Sequence, residues 1–260
     1  MEMQFVECHT DGPVYTIVIN RPEKRNAVDR QVAAELRRAF LQLESDDSLQ
    51  VGVLCGAGGT FCAGADLGAV GDPARANEVE PDGSGMGPMG PTRMALKKPL
   101  IAAISGHAVA GGLELALLAD MRVAEEDAIL GVFCRRWGVP LIDGGTIRLP
   151  RIVGMGRAMD LILTGRPVDA AEALGMGLVN RVVPKGGARA AAELLARQIA
   201  AFPQQCVLTD RESAYRQWDL PLAEALRQEG THGARIVAEE GIAGAARFVG
   251  GAGRHGVFGS

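Results

Sequence analysis

The sequence predicts an α/β protein, a core of alternating strands and helices with a layer of helices added at its C-terminal end. Three observations predict it. Short β-branched or apolar runs alternate with stretches of helical periodicity between residues 14 and 183. From residue 187 to 249 the pattern is helical throughout, with Ala190, Leu194, Leu195, Ile199 and Phe202 on one stripe. Thirty-five glycines beside only 4% aromatic residues imply many tight turns and close backbone approaches.

Taken in order, residues 14–20 alternate and are β-branched, the mark of a strand, and residues 21–27 form a polar turn containing Pro22. Asp29 is placed to cap a helix over 30–44, in which Val32, Leu36, Ala39, Phe40 and Leu43 recur at helical spacing. A strand over 51–55 runs into a glycine-rich turn over 56–67 that leaves backbone N–H groups free. It lacks the lysine and Ser/Thr of a phosphate loop. Cys62, within it, reads as a small packing residue. Residues 71–99 collapse into Pro, Gly, Met and mixed charge, a loop long enough to be a lid or binding loop. Its Met86, Met89 and Met94 either line an apolar pocket or anchor the loop. Further strands are expected at 121–124, 128–131 and 179–183, and helices at 146–153, 158–163 and from 170 to Gly175.

The centre of the chain carries the chemistry. An apolar strand over 100–104 leads through Ser105-Gly106-His107 to Gly111-Gly112 and a greasy helix ending near Asp120. Bare N–H groups at such a helix start, at the positive end of its dipole, suit an oxygen carrying negative charge. Glu114 follows three residues after Gly111 among Leu113, Leu115, Leu117 and Leu118. A carboxylate there is costly unless used or paired. Ser105 and His107 do not make a serine hydrolase, because the Gly-x-Ser-x-Gly elbow is absent. Gly251-Ala252-Gly253-Arg254-His255-Gly256 matches a dinucleotide fingerprint in letters only: it follows a helix and opens nothing, so it reads as a flexible tail.

Composition narrows the classes. With 47% hydrophobic and 22% charged residues over 260 positions, the chain reads as an ordinary globular protein. A formal charge of −4 with scattered basic residues argues against a nucleic-acid surface. No apolar run reaches membrane-spanning length, and residues 1–7 have no secretory-signal pattern, so a cytoplasmic location is expected. Five separated cysteines without Cys-x-x-Cys indicate neither a disulfide framework nor a bound metal.

Four segments together resemble the crotonase superfamily, the enoyl-CoA hydratase/isomerase family. They are Asn20-Arg21-Pro22-Glu23-Lys24-Arg25-Asn26-Ala27, Phe61-Cys62-Ala63-Gly64-Ala65-Asp66-Leu67, Ala108-Val109-Ala110-Gly111-Gly112-Leu113-Glu114-Leu115-Ala116 and Gly144-Gly145-Thr146-Ile147-Arg148-Leu149-Pro150. The resemblance implies a spiral of ββα units over residues 1–195 and a C-terminal helical trimerisation region over 196–260. It implies homotrimers or hexamers, acyl-CoA thioester substrates, and no cofactor beyond the coenzyme A that the substrate carries. It puts an oxyanion hole on the backbone N–H groups of Ala65 and Gly111. Arg25, Ala27, Val28, Ala63, Asp66, Leu67, Gly68 and Gly112 would border the CoA and thioester, with Arg25 a phosphate partner. Two aimed N–H donors would stabilise the enolate formed by proton removal beside, or addition across from, a thioester carbonyl.

Glu114 matches the first of the two glutamates that activate water in the family's hydratases, and Cys134 stands at the second. Asp143 coincides instead with an aspartate that resembles a catalytic carboxylate of the dienoyl-CoA isomerase branch. A Glu114/Asp143 pair would suit proton removal at one carbon and delivery at another. Arg135 and Arg136 either pair with these acids or face solvent. The expected function is hydration or shift of an enoyl-CoA double bond. The alternatives are an acyl-CoA hydrolase and a catalytically idle CoA-binding or RNA-binding relative.

Overall fold

A computed structural model describes residues 3–253. Of the tail assigned to the false dinucleotide fingerprint, Arg254 onward lies outside the described residues, as do Met1 and Glu2 of the N-terminal segment. The chain divides into a larger unit ending at Gln198 and a smaller one beginning at Ile199.

The larger unit is built on two sheets. β1 (Val6–Asp11), β2 (Val14–Ile19), β3 (Val51–Gly56), β4 (Leu100–Ile104), β6 (Met121–Glu125) and β9 (Arg181–Val183) form a sheet in that spatial order. β1 is its antiparallel edge, and the other neighbours are parallel. β5 (His107–Val109), β7 (Ile129–Gly131) and β8 (Val168–Asp169) form a smaller sheet. The chain leaves the large sheet at β4 and β6 to add β5 and β7 to the small one, and this alternation is the spiral of ββα units. β2, β3 and β4 are buried on both faces, save Gly56 at the end of β3, and therefore read as continuous apolar runs.

Around the sheets lie α1 (Arg30–Ser45), α2 (Gly111–Leu118), α3 (Gly145–Val153), α4 (Met155–Thr164), α5 (Ala170–Gly175) and α6 (Ala188–Ala200). The Asp29 side chain accepts from the Val32 N–H, as the capping pattern predicts. In α1 the stripe Val32, Leu36, Ala39, Phe40, Leu43 is buried against the core.

Three strands escape sequence reading. β1 buries only Val6 and shows solvent a mixed polar surface, so it carries no alternation; backbone pairing to β2 makes it a strand. A Glu35 oxygen fixes its start by accepting the N–H groups of Gln4, Phe5 and Val6. β5 and β8 span three and two residues, too short for any period to register. Residues 71–99 contain no regular element, as expected.

The smaller unit holds α7 (Gln204–Arg216), α8 (Leu222–Ile236) and α9 (Ile242–Val249), with a widened helical turn at Val237–Gly241 joining the last two. Among the described residues, no helix is long and apolar enough to cross a membrane.

Candidate active site

Two glycine turns meet at the N-terminus of α2. Gly64 has φ of +96°, and a Cβ there would stand 2.9 Å from Ala110 Cβ and 3.0 Å from Gly111 N. The turn carrying Ala65 therefore lies directly against the start of α2. Gly112 is needed for the same closeness, since a Cβ would come 2.1 Å from the Cys62 carbonyl oxygen. Ala110, the residue before α2, holds φ 54° and ψ −128°, a strained conformation for a residue with a side chain. Gly111, next in the chain, opens the first turn of α2, where N–H groups have no partner within the helix.

Neither the Ala65 nor the Gly111 N–H has an acceptor among the described residues, and Gly112 likewise donates to none. The neighbours on either side of Ala65 are tied down: Val28 N–H donates to Gly64 O at 2.8 Å, and Asp66 N–H donates to Val28 O at 2.9 Å. The parallel bridge between Val28 and Ala65 thus leaves the Ala65 N–H on its free side. Two adjoining, unpaired donors are what an oxyanion hole needs.

Both acids connect to the start of α2: Glu114 is one turn into the helix, and Met89, whose sulfur packs on Gly111, donates its N–H to Asp143. Glu114, only 3% exposed, faces the loop before α3. Its Oε1 accepts the N–H groups of Asp143 at 2.9 Å and Gly145 at 2.8 Å. Asp143 Oδ1 accepts the Met89 N–H at 2.9 Å and the Thr92 hydroxyl. The second oxygen of each acid makes no hydrogen bond among the described residues and is left for chemistry. Burial, and then the neighbouring charge of Asp143, pushes Glu114 up from 4.5 to about 7. Asp143 is also raised by burial, with the Thr92 and Met89 donors acting against the rise.

Cys134 is buried, and its thiol is pushed up by that burial and then by the Glu114 charge. A protonated thiol cannot stand in for the second carboxylate. Arg135 and Arg136 do not reach the acids: they donate to Ile162 O and Gly165 O at the end of α4. Ser105 Oγ donates to Glu125 at 2.8 Å, and His107 is exposed on β5, so no hydrolase triad forms.

At the CoA-bordering positions, Arg25 is exposed with φ of 51°, and among the described residues no ion pair holds its side chain. Ala27 and Val28 are buried, Ala63 N–H donates to Arg25 O at 3.0 Å, and Leu67 is 48% exposed beside exposed Gly68. The Asp66 carboxylate is turned inward, accepting from Gly68 N–H at 3.0 Å and pairing with Arg21 and Arg75.

The profile of the family described as enoyl-CoA hydratase/isomerase matches residues 9–249. The chain belongs to the enoyl-CoA hydratase/isomerase family. Among similar proteins, enoyl-CoA hydratase EchA19 of Mycobacterium tuberculosis is 35% identical, covering 86% of this chain and 85% of its own. Mevalonyl-coenzyme A hydratase SIDH of Beauveria bassiana is 36% identical over 79% of this chain and 76% of its own. A crystal structure of enoyl-CoA hydratase from Mycobacterium tuberculosis H37Rv superposes with a TM-score of 0.86 at 36% identity, covering 94% of this chain and 96% of that one.

Within this enoyl-CoA hydratase/isomerase family member, three contributions to the site escape sequence reading. Thr92 and Met89 come from the long loop to hold Asp143, and the Met89 sulfur packs on Gly111. Arg148, one turn into α3, donates to Asp143 O at 3.1 Å and Thr92 O at 2.7 Å, binding the loop to the acid. The sequence signals it only by its place in the fourth resemblance segment, five residues after Asp143. Of the other two methionines, Met94 packs on the core and Met86 lines a cavity of about 190 Å³ with Arg37 and Glu78.

Proposed function

We propose that this protein adds water across, or shifts, the double bond of an enoyl-CoA through a thioester enolate. The single observation that carries the reading is the pair of unpaired Ala65 and Gly111 N–H groups beside the Glu114/Asp143 carboxylates. The thioester oxygen would accept from both donors, and such a donor typically lowers the barrier by about 3 to 4 kcal/mol. Glu114, titrating near 7, suits an acid–base group that both takes and returns a proton at neutral pH. Asp143, on the loop before α3 and held by Thr92, is the second proton-handling group. The names of the relatives favour hydration; Cys134 at the second-glutamate position is the observation that keeps double-bond shift as the second reading.

Arg25 is assigned to the CoA phosphates. The chemistry needs no cofactor besides the coenzyme A of the substrate, because two donors and two acids supply every proton and charge it involves. Leu222, Leu226, Val237, Ile242, Phe248 and Val249 stand exposed in the smaller unit. Burial of such a surface supports a homotrimer or a hexamer. The described cysteines are free, which supports a reducing, cytoplasmic setting.

The test is mass spectrometry of products from a panel of enoyl- and dienoyl-CoAs in heavy-oxygen water. A product heavier by one labelled water indicates hydration, and a product of unchanged mass with a moved double bond indicates isomerisation. Glu114→Gln and Asp143→Asn should each abolish turnover. Release of free CoA, or CoA binding without turnover on any member of the panel, would refute the reading.

A further inference from the structure

A buried ion cluster lies directly behind the oxyanion turn, with its two carboxylates turned inward. Asp29 and Asp66 are 4% and 7% exposed, and the same oxygen of each, Oδ2, faces two guanidinium groups. Arg21 reaches Asp66 at 3.0 Å and Asp29 at 3.3 Å, while one nitrogen of Arg75 sits 3.1 Å from both. The remaining oxygens hold backbone: Asp29 Oδ1 caps α1 at Val32 N–H, and Asp66 Oδ1 accepts Gly68 N–H. Two guanidinium groups thus face the two buried carboxylates, with the exposed Glu23 carboxylate 3.8 Å from Arg21 at the rim.

The two arginines differ in origin. Arg21 is buried and also donates to Ala27 O at 3.1 Å, so it belongs to the core. Arg75 comes from the long loop and has a 44% exposed side chain. Its segment docks independently through main chain, since Arg30 N–H donates to Arg75 O at 2.9 Å and Arg30 Nε donates to Ala76 O at 3.0 Å. The Arg75 side chain therefore serves the cluster without being what holds the loop in place. Asp66 is covalently next to Ala65, and its N–H donates to Val28 O in the bridge that orients Ala65, so a shift of the Asp66 backbone turns the peptide units that aim the Ala65 N–H. Without Arg75, two buried carboxylates would share Arg21 alone, and repulsion between them would push Asp66 out of position.

We propose that Arg75 is a positioning residue for the oxyanion hole: it bridges Asp29 and Asp66 and so fixes the direction of the Ala65 N–H. This assignment rests on the oxyanion-hole reading given above. It makes the long loop a component of the catalytic geometry as well as a wall of the site.

The test uses the full-length protein with 4-(dimethylamino)cinnamoyl-CoA, an aryl enoyl thioester whose absorption moves to the red when its carbonyl is polarised. The wild-type protein should shift the band on binding. Arg75→Gln should show a smaller shift and kcat lowered about tenfold, a fraction of the loss on deleting a whole oxyanion donor, with KM changed less than about twofold. Arg75→Lys, which restores the charge at a single nitrogen, should recover most of both. An unchanged shift and kcat in Arg75→Gln would overturn the proposal. So would a lowered melting temperature with shift and kcat intact, which assigns Arg75 to stability alone, or equal losses in the Gln and Lys variants. A wild-type protein that turns over no enoyl-CoA and shifts no band would reject the parent oxyanion-hole reading.

Discussion

Replacing Glu114 by glutamine should stabilise the protein, by an amount that grows as pH rises from 4.5 to about 7 and then levels off. The two backbone N–H groups that hold Glu114 Oε1 can be accepted equally by an amide oxygen, so the substitution preserves the contacts. What it removes is a carboxyl whose folded-state value, about 7, lies above its ordinary 4.5. Below pH 4.5 the group is protonated in both folded and unfolded chains, and its contribution to stability is fully present. Between 4.5 and 7 the folded chain holds a proton that the unfolded chain has released, so stability falls as pH rises. By pH 8 the accumulated loss in wild type is about 3 kcal/mol, at about 1.4 kcal/mol for each pH interval of one between the two values. Asp143 remains in both proteins, so its own contribution largely cancels in the difference. The assay is denaturant unfolding of both proteins at one fixed concentration from pH 4 to pH 8. Near-equal stability at pH 4 and a Glu114→Gln advantage of about 2 to 3 kcal/mol at pH 8 are expected. A difference that does not vary with pH would refute the claim that burial and Asp143 raise this group.

Thr92→Val removes a donor that opposes the rise of Asp143, so the acidic limb of kcat/KM should move to higher pH; an unmoved limb would show that the hydroxyl does not act on the acid. Arg25→Ala should raise KM for a CoA ester about tenfold, the value of a charge-assisted contact, while leaving KM for the matching pantetheine thioester unchanged. Gly112→Ala must displace the Cys62 carbonyl, which a Cβ would approach to 2.1 Å, and should cost about 3 kcal/mol or more in a thermal melt. The control is Gly156→Ala in α4, where a Cβ meets nothing within 4 Å and the change should be neutral or mildly stabilising.

Much of the architecture is legible because burial imposes a period. β2, β3 and β4 are apolar throughout since both faces are covered, and α1 shows its buried stripe at helical spacing. Glu114 is legible for the opposite reason: in a helix whose eight residues are all buried, one carboxylate breaks the pattern. β1 is not legible because an edge strand can be polar and still pair. The roles of Thr92, Met89 and Arg75 are not legible because the loop that carries them has neither period nor local partner, and each acts on a residue outside that loop. Asp66 is legible as part of a recognised segment, but the direction of its carboxylate, inward to Arg21 and Arg75, is not.

By itself the sequence determined the two glycine turns, the buried acid of α2 and the order of strands and helices, because these depend on neighbours within a few residues. Only the tertiary structure decided that Ala65 and Gly111 are left without acceptors among the described residues, that Asp143 gives its own N–H to Glu114, and that a loop arginine closes the cluster behind Ala65. Those facts depend on which distant segments the sheet register brings within roughly 3 Å of one another, and hydrogen bonds and buried charges act only at that range.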